Sequence, residues 1–354
     1  MLVSNAPASQ LEWELRHCAV QEAASKLAQE EPQFSALTVI SNGQRRFFLA
    51  LLIAMAAMLL CIPRLFGLLA TVFIALGYLS NAVFRAWLFW VGAEQADAED
   101  KSPKSARPLP LYTVLIPLYR EANMLPQLGA ALRSLNYPRR LLDVKLVVEE
   151  DDDETIVAAN KAAADGLFEV IEVPPGEPRT KPRACNYALQ FARGEFLVIF
   201  DAEDQPEPDQ LLKAVTAFRR LPEEVACLQA RLNFFNAREC WITRMFALDY
   251  ALWFDFLLPG LDKLGIPMPL GGTSNHFRVE ALRAINAWDP FNVTEDADLG
   301  IRLSRLGMRV KTLDSTTYEE ATNGVGNWLR QRTRWLKGYM QTSTAFSVPI
   351  TSMT

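Results

Sequence analysis

Two stretches end apolar runs in acids. In LVIFDAEDQPEPD, residues 197–209, the run 197–200 reads as a buried strand that stops at Asp201, Glu203 and Asp204. Acids so placed repel one another unless something positive lies between them. The pattern fits a solvated turn, or a seat for a metal ion and a phosphate, with Pro206 and Pro208 ending the strand. LLDVKLVVEEDDDE, residues 141–154, repeats the design with acids at 149–154. A third stretch, FNVTEDADLGIRLSRLG at 291–307, predicts a helix with Thr294 as N-cap and Gly307 as its stop. Leu299, Leu303 and Leu306 form its buried stripe. Glu295 and Asp296 fall in its first turn, where the peptide dipoles favour negative charge. Ordinary helix capping accounts for them equally.

Two further stretches carry positive charge or bare backbone. GNWLRQRTRWLKGY, residues 326–339, predicts a helix on which Gln331, Arg334 and Trp335 share one side. An arginine beside an aromatic ring can grip a phosphate while the ring stacks on a sugar. A basic surface helix with one buried tryptophan is the alternative. PLGGTSNHFRVEAL, residues 269–282, has a Gly-Gly turn that lets a ligand approach the backbone.

Composition narrows the classes. The chain has 354 residues, 50% of them apolar, with a formal net charge of −5. That charge argues against nucleic acid as a partner, since phosphate backbones recruit basic stripes. The five cysteines are scattered without a CxxC pair, and there are only two histidines. A disulfide framework and a zinc site are therefore not expected, and a reducing compartment fits.

The elements that must position these residues follow from patterning. Residues 1–46 are mostly polar and read as a cytosolic leader, with Leu11, Leu15 and Cys18 on one helical face. Residues 47–91 are apolar and break at Pro63-Arg64, predicting two membrane helices over 47–62 and 65–84. Arg45, Arg46 and Arg85 flank one side of the pair, with Lys101, Lys104 and Arg107 beyond, whereas Arg64 alone marks the other turn. The positive-inside rule puts both ends in the cytosol. Residues 92–109 read as a linker. From 110 to 341, strands alternate with helices, which implies an α/β domain on a mainly parallel sheet. In such sheets ligands bind at the carboxyl ends of the strands, where both acid runs lie. Residues 342–354 form a short tail with no charge and no stretch long enough to cross a bilayer.

The order of IPLYRE, VVEEDD, KPRACNYAL, FDAED, GGTSNHFR, TED and QRTRW resembles membrane-bound family-2 glycosyltransferases. These are inverting enzymes of the GT-A fold, such as cellulose, chitin and hyaluronan synthases. TED followed about thirty-five residues later by QxxRW is the specific part of the likeness. The resemblance implies a Rossmann-like, mainly parallel sheet flanked by helices and preceded by a transmembrane hairpin. It implies that Glu121, Glu150, Asp151 and Lys181 bind the nucleotide, with Gln331, Arg334 and Trp335 closing over the donor. It makes Asp201 and Glu203 the ligands of Mg or Mn, with Asp204 as a substitute, and Asp296 the catalytic base. Glu295 beside it disfavours a second negative charge and raises its basicity.

The expected activity is transfer of a sugar from a UDP-sugar to a glycan or lipid acceptor, at the inner face of the cell membrane by a multi-pass protein. The aromatics of DYALWFDF, residues 249–256, read either as a stacking floor for the acceptor or as core packing. Synthases of this kind continue past QxxRW with further spanning helices. The short tail therefore implies a fragment, or an enzyme that does not translocate polymer. It also opens a second reading, a truncated, inactive membrane subunit that binds nucleotide or metal.

Overall fold

The computed structural model describes residues 8–94 and 107–345, with side chains from residue 14. Most of the expected linker and the last nine residues of the tail lie outside the described residues. Eight strands form one sheet in the order β3-β2-β1-β4-β7-β6-β8-β5. They are β1 Tyr112–Leu118, β2 Leu142–Glu149, β3 Phe168–Val173, β4 Phe196–Ile199, β5 Gln205–Pro206, β6 Val225–Phe234, β7 Asn275–Arg278 and β8 Arg309–Glu319. Strands β3, β2, β1 and β4 run parallel. Helices Leu125–Arg133, Asp153–Ala162 and Lys181–Leu189 make the crossovers. Each central strand is buried on both faces, which is why β1 and β4 read as unbroken apolar runs. One face packs Leu115, Val147, Leu197 and Cys185; the other packs Val114, Val144, Val198 and Phe218.

This topology decides where a ligand can sit. The chain winds outward from β1 to β3 and then returns to place β4 on the far side of β1. A crevice opens outside the carboxyl ends of strands at such a switch point. Glu121 follows β1 and Asp201 follows β4, so both acids flank it. Strand β7 is antiparallel to β4, with Asn275 opposite Ile199. Its entry therefore lies at the exit of β4, and the Gly-Gly turn meets Asp201.

Two helices, Asn42–Cys61 and Pro63–Ala93, are long and apolar enough to cross a membrane. Both run further than the stretches 47–62 and 65–84. Hydropathy marks the apolar part of a helix, whereas caps set its ends. Ser41 and Gln44 form a capping box before the first, and Pro63 opens the second. The second helix crosses Leu258–Leu264 with backbones in contact. A Cβ on Gly92 would lie 2.0 Å from the Phe256 carbonyl oxygen, and one on Gly260 2.4 Å from that of Leu88. Between Trp241–Ala251 and this crossing lies a π-helical turn, Leu252–Leu257. It splits the aromatic run in two. Phe256 stacks on Phe89 at 4.4 Å, while Tyr250, Trp253 and Phe254 line the cleft described below.

The leader packs on the domain that follows it. Helix Ala8–Glu30 packs on Lys181–Leu189 and contributes Val20 and Ala23 to the core. Its buried face is Val20, Ala23, Ala24 and Leu27, whereas Leu15 is 63% exposed and Cys18 is exposed. Two alanines make up half of the buried stripe. Beyond the helix, the buried Asp289 carboxylate accepts from Ser35 Oγ at 3.1 Å and from Ala36 N at 2.6 Å.

Candidate active site

A cleft of about 1160 Å³ opens at the switch point. Glu121, Lys181, Asp201, Glu203, Glu295, Asp296, Gln331, Arg334 and Trp335 all line it. Residues after β1 and β4, the turn before β7 and three helices thus face one space.

The acid side is built around Asp201. Its carboxylate pairs with the Lys181 ammonium, which also donates to the Gly272 carbonyl at 3.1 Å. Burial acts to lower the Lys181 pKa, but the charges of Asp201 and Glu295 overcome it and hold the ammonium protonated. Burial raises Glu121, with a further push from Asp201. Burial and the neighbouring Asp201 and Glu121 push Glu203 up to about 7. Three crowded carboxyls answered by one lysine are a donor set that suits a hard cation. A small divalent ion bound with diphosphate needs only one or two carboxylates, so Asp201 and Glu203 fit it.

Asp204 is placed differently from its expected role as a substitute ligand. It is 1% exposed, and its Oδ2 accepts from Asp201 N at 2.7 Å and from the Thr273 hydroxyl. The side chain holds the turn that presents Asp201. Among the described residues, no three His, Cys, Asp or Glu side chains converge as a ready-made metal cage.

Asp296 opens helix Glu295–Arg305 opposite this group. A Cβ on Gly272 would lie 3.3 Å from Asp296 Oδ2, so the bare backbone of the Gly-Gly turn forms part of the wall beside it. Asp296 Oδ1 accepts from Ala297 N at 2.7 Å. Burial raises the pKa of Asp296. Burial and the adjacent Asp296 push Glu295 up to about 7. Both carboxyls are therefore more basic than exposed ones. Thr294 occupies the N-cap position without a capping bond; its hydroxyl points instead to Asn292 Oδ1 at 3.4 Å. Leu299 and Leu303 are buried as expected, and Leu306 is only half-buried.

Helix Val325–Ala345 closes the cleft and runs beyond the expected 326–339. Gly338 lets it touch the loop before Asp296, since a Cβ there would lie 2.1 Å from Thr294 Oγ1. Asn292 Nδ2 donates to Thr342 Oγ1 at 2.9 Å, and Val293 N to Gln341 Oε1 at 3.2 Å. Trp335 stacks on Phe246 at 6.2 Å, with the Arg332 guanidinium 4.8 Å from its ring. Arg332 is held in turn by Asp249 at 2.5 Å. Gln331 lines the cleft, and its buried Oε1 has no hydrogen-bond partner among the described residues.

Glu150 and Asp151 lie outside the cleft lining. Glu150 pairs with Arg16 of the leader at 3.5 Å, and Asp151 with Arg179. From that strand end it is Glu149 that lines the cleft, tied to the buried Arg183 at 2.6 Å. Sequence reasoning also passed over Asp152, Thr273 and Glu319. Asp152 accepts from Arg120 N at 2.5 Å, which fixes a left-handed residue (φ 57) immediately before Glu121. Glu319 ends β8 beside the acid group, and burial together with Asp204 and Asp201 pushes its pKa well above the usual range. The signal for Glu319 was present, because TTYEE is a third strand that ends in acids.

Comparison with known proteins gives the family and the fold. The chain is 26% identical over 238 residues to the probable glycosyltransferase YdaM of Bacillus subtilis, covering 66% of this chain and 56% of that protein. It is 28% identical over 238 residues to the beta-monoglucosyldiacylglycerol synthase of Trichormus variabilis, covering 66% and 50%. It is 29% identical over 238 residues to the probable glucomannan 4-beta-mannosyltransferase 1 of Arabidopsis thaliana, covering 65% and 43%. The chain thus spans about half the length of the curated relatives it matches. Its fold is similar to that of the mannosyltransferase PcManGT from Pyrobaculum calidifontis, solved with GDP-Man and Mn2+. The TM-score is 0.59 at 21% identity, over 77% of this chain and 76% of that one. Residues 109–338 match the family described as glycosyltransferase like family 2, and the chain belongs to that family.

Proposed function

We propose that the protein is a membrane-anchored, inverting glycosyltransferase. It moves a sugar from a nucleoside diphosphate sugar, a UDP-sugar by the motif resemblance, to a glycan or lipid acceptor at the cytosolic face. The observation that carries this reading is the meeting of Asp201, Asp296 and Arg334 in one cleft at the switch point. Asp201 and Glu203 would hold Mg or Mn, which when bound neutralises charge on the leaving diphosphate. Lys181 and Arg334 supply fixed positive charge for the same oxygens. Asp296 takes the proton of the acceptor hydroxyl as it attacks the anomeric carbon from the face opposite the diphosphate. No covalent intermediate is required, so the configuration inverts. Trp335, fixed by Phe246 and Arg332, adds an aromatic ring to the cleft wall.

The test is nucleoside diphosphate release from a panel of UDP- and GDP-sugars with Mn2+ and membrane extract as acceptor. Asp296→Asn is expected to lower turnover by about 10²–10⁴-fold, the usual share of general base catalysis. Tight nucleotide binding by the wild type without turnover would favour the inactive subunit instead.

A further inference from the structure

Arg85 belongs to the second apolar helix, yet it lines the catalytic cleft. About 20 residues of helix suffice to cross the hydrocarbon layer. Counted from Pro63, that length is used up just before Arg85, the first charge on the helix after Arg64. The guanidinium therefore stands where the apolar layer meets water. It is exposed and has no ion-pair or hydrogen-bond partner among the described residues.

The fold holds it in that place. The close crossing at Leu88, Gly92 and Gly260 bolts the helix to the catalytic domain. The π-helical turn beyond the crossing sends Trp253 and Phe254 into the cleft wall. An aromatic wall thus accompanies Arg85 along the cleft. The donor's phosphates have their own cations, Lys181 beside Asp201 and Arg334 on the closing helix. Arg85 is left over in a cleft otherwise rich in acids. An unpaired guanidinium there suits phosphate oxygens, which it can bind through two parallel hydrogen bonds.

We propose that the acceptor is a membrane lipid carrying both a phosphate and a free hydroxyl, with its phosphate on Arg85 and its hydroxyl toward Asp296. This rests on the glycosyltransferase reading above. The hydroxyl oxygen bonds to the anomeric carbon while the bond from that carbon to the diphosphate oxygen breaks. The hydroxyl proton passes to Asp296, and the electron pair leaves with the nucleoside diphosphate.

The experiment uses the full chain in phosphatidylcholine vesicles with Mn2+ and the sugar-nucleotide panel. Three acceptors are compared: phosphatidylglycerol, diacylglycerol and soluble glycerol 3-phosphate. Glycolipid formation on phosphatidylglycerol is expected. Arg85→Gln should lower the ratio of transfer to phosphatidylglycerol over diacylglycerol by about tenfold or more, as expected for losing a charged hydrogen bond. The change should fall on the KM for the lipid and not on that for the donor, with Arg85→Lys restoring part of the ratio. A ratio untouched by Arg85→Gln overturns the proposal, as does transfer only to diacylglycerol. Transfer to glycerol 3-phosphate as efficient as to phosphatidylglycerol overturns the lipid source. Donor cleavage without transfer to a phosphate-bearing acceptor sinks this inference and leaves the glycosyltransferase reading standing. No nucleoside diphosphate release from any donor sinks both.

Discussion

Glu295 and Asp296 are neighbours in sequence with different surroundings, and that difference separates their tasks. Asp296 faces the Gly-Gly turn and takes a backbone N–H, while Glu295 is pushed up to about 7 by burial and by Asp296. A like charge disfavours ionisation of its neighbour, and of the two it is Glu295 that yields, while burial raises Asp296. Lys181 and Asp201 are the other charges bearing on the pair. Activity should fall on acidification as the pair takes up a second proton, because the base is then lost. Glu295, at about 7, takes up its proton before that limb is reached, so replacing Glu295 by Gln should leave the limb in place. The pH dependence of kcat/KM checks it, and a limb moved by the substitution would mean that Glu295 is still charged when Asp296 takes up its proton.

Close approaches of backbone decide the geometry between elements. The crossing of Pro63–Ala93 over Leu258–Leu264 leaves no room for a methyl group at Gly92, where a Cβ would sit 2.0 Å from Phe256 O. Gly92→Ala should destabilise the fold by about 1–3 kcal/mol, the usual cost of overpacking. The measurement is the thermal midpoint in detergent, and an unchanged midpoint would show that the crossing is loose. The leader is held by a different device. Asp289→Ala strips the acceptor from Ser35 Oγ and Ala36 N in a buried setting. Each unmet buried donor costs about 1–3 kcal/mol. Hydrogen exchange over residues 31–37 should therefore speed up relative to the wild type.

Across the whole molecule, the apolar hairpin, the leader and the catalytic domain form one connected body. Gln44 at the start of the first apolar helix donates to the Thr344 carbonyl at 3.0 Å, at the end of the helix that bears Gln331, Arg334 and Trp335. The hairpin leaves Phe47, Leu52, Leu60, Phe73 and Trp90 well exposed. Apolar area of that kind is unfavourable in water and needs a lipid or protein cover. The protein should therefore stay with the membrane pellet through an alkaline carbonate wash. Its appearance in the supernatant would refute the membrane anchor.

Residue order alone determined the alternation of strands and helices, the two apolar helices, and the acids at strand ends. Those features are local, since they follow from period, from caps and from the run length of apolar residues. The TED and QxxRW stretches were legible for the same reason, as short motifs on single helices. Tertiary structure alone decided which acids serve the cleft. Asp204 turns inward because Asp201 N and Thr273 need an acceptor, while Glu150 and Asp151 are taken by Arg16 and Arg179. Glu319 and Arg85 enter from elements far away in the chain. Direction of a side chain at a strand end depends on which distant partner claims it, and one-dimensional patterning holds no record of that partner.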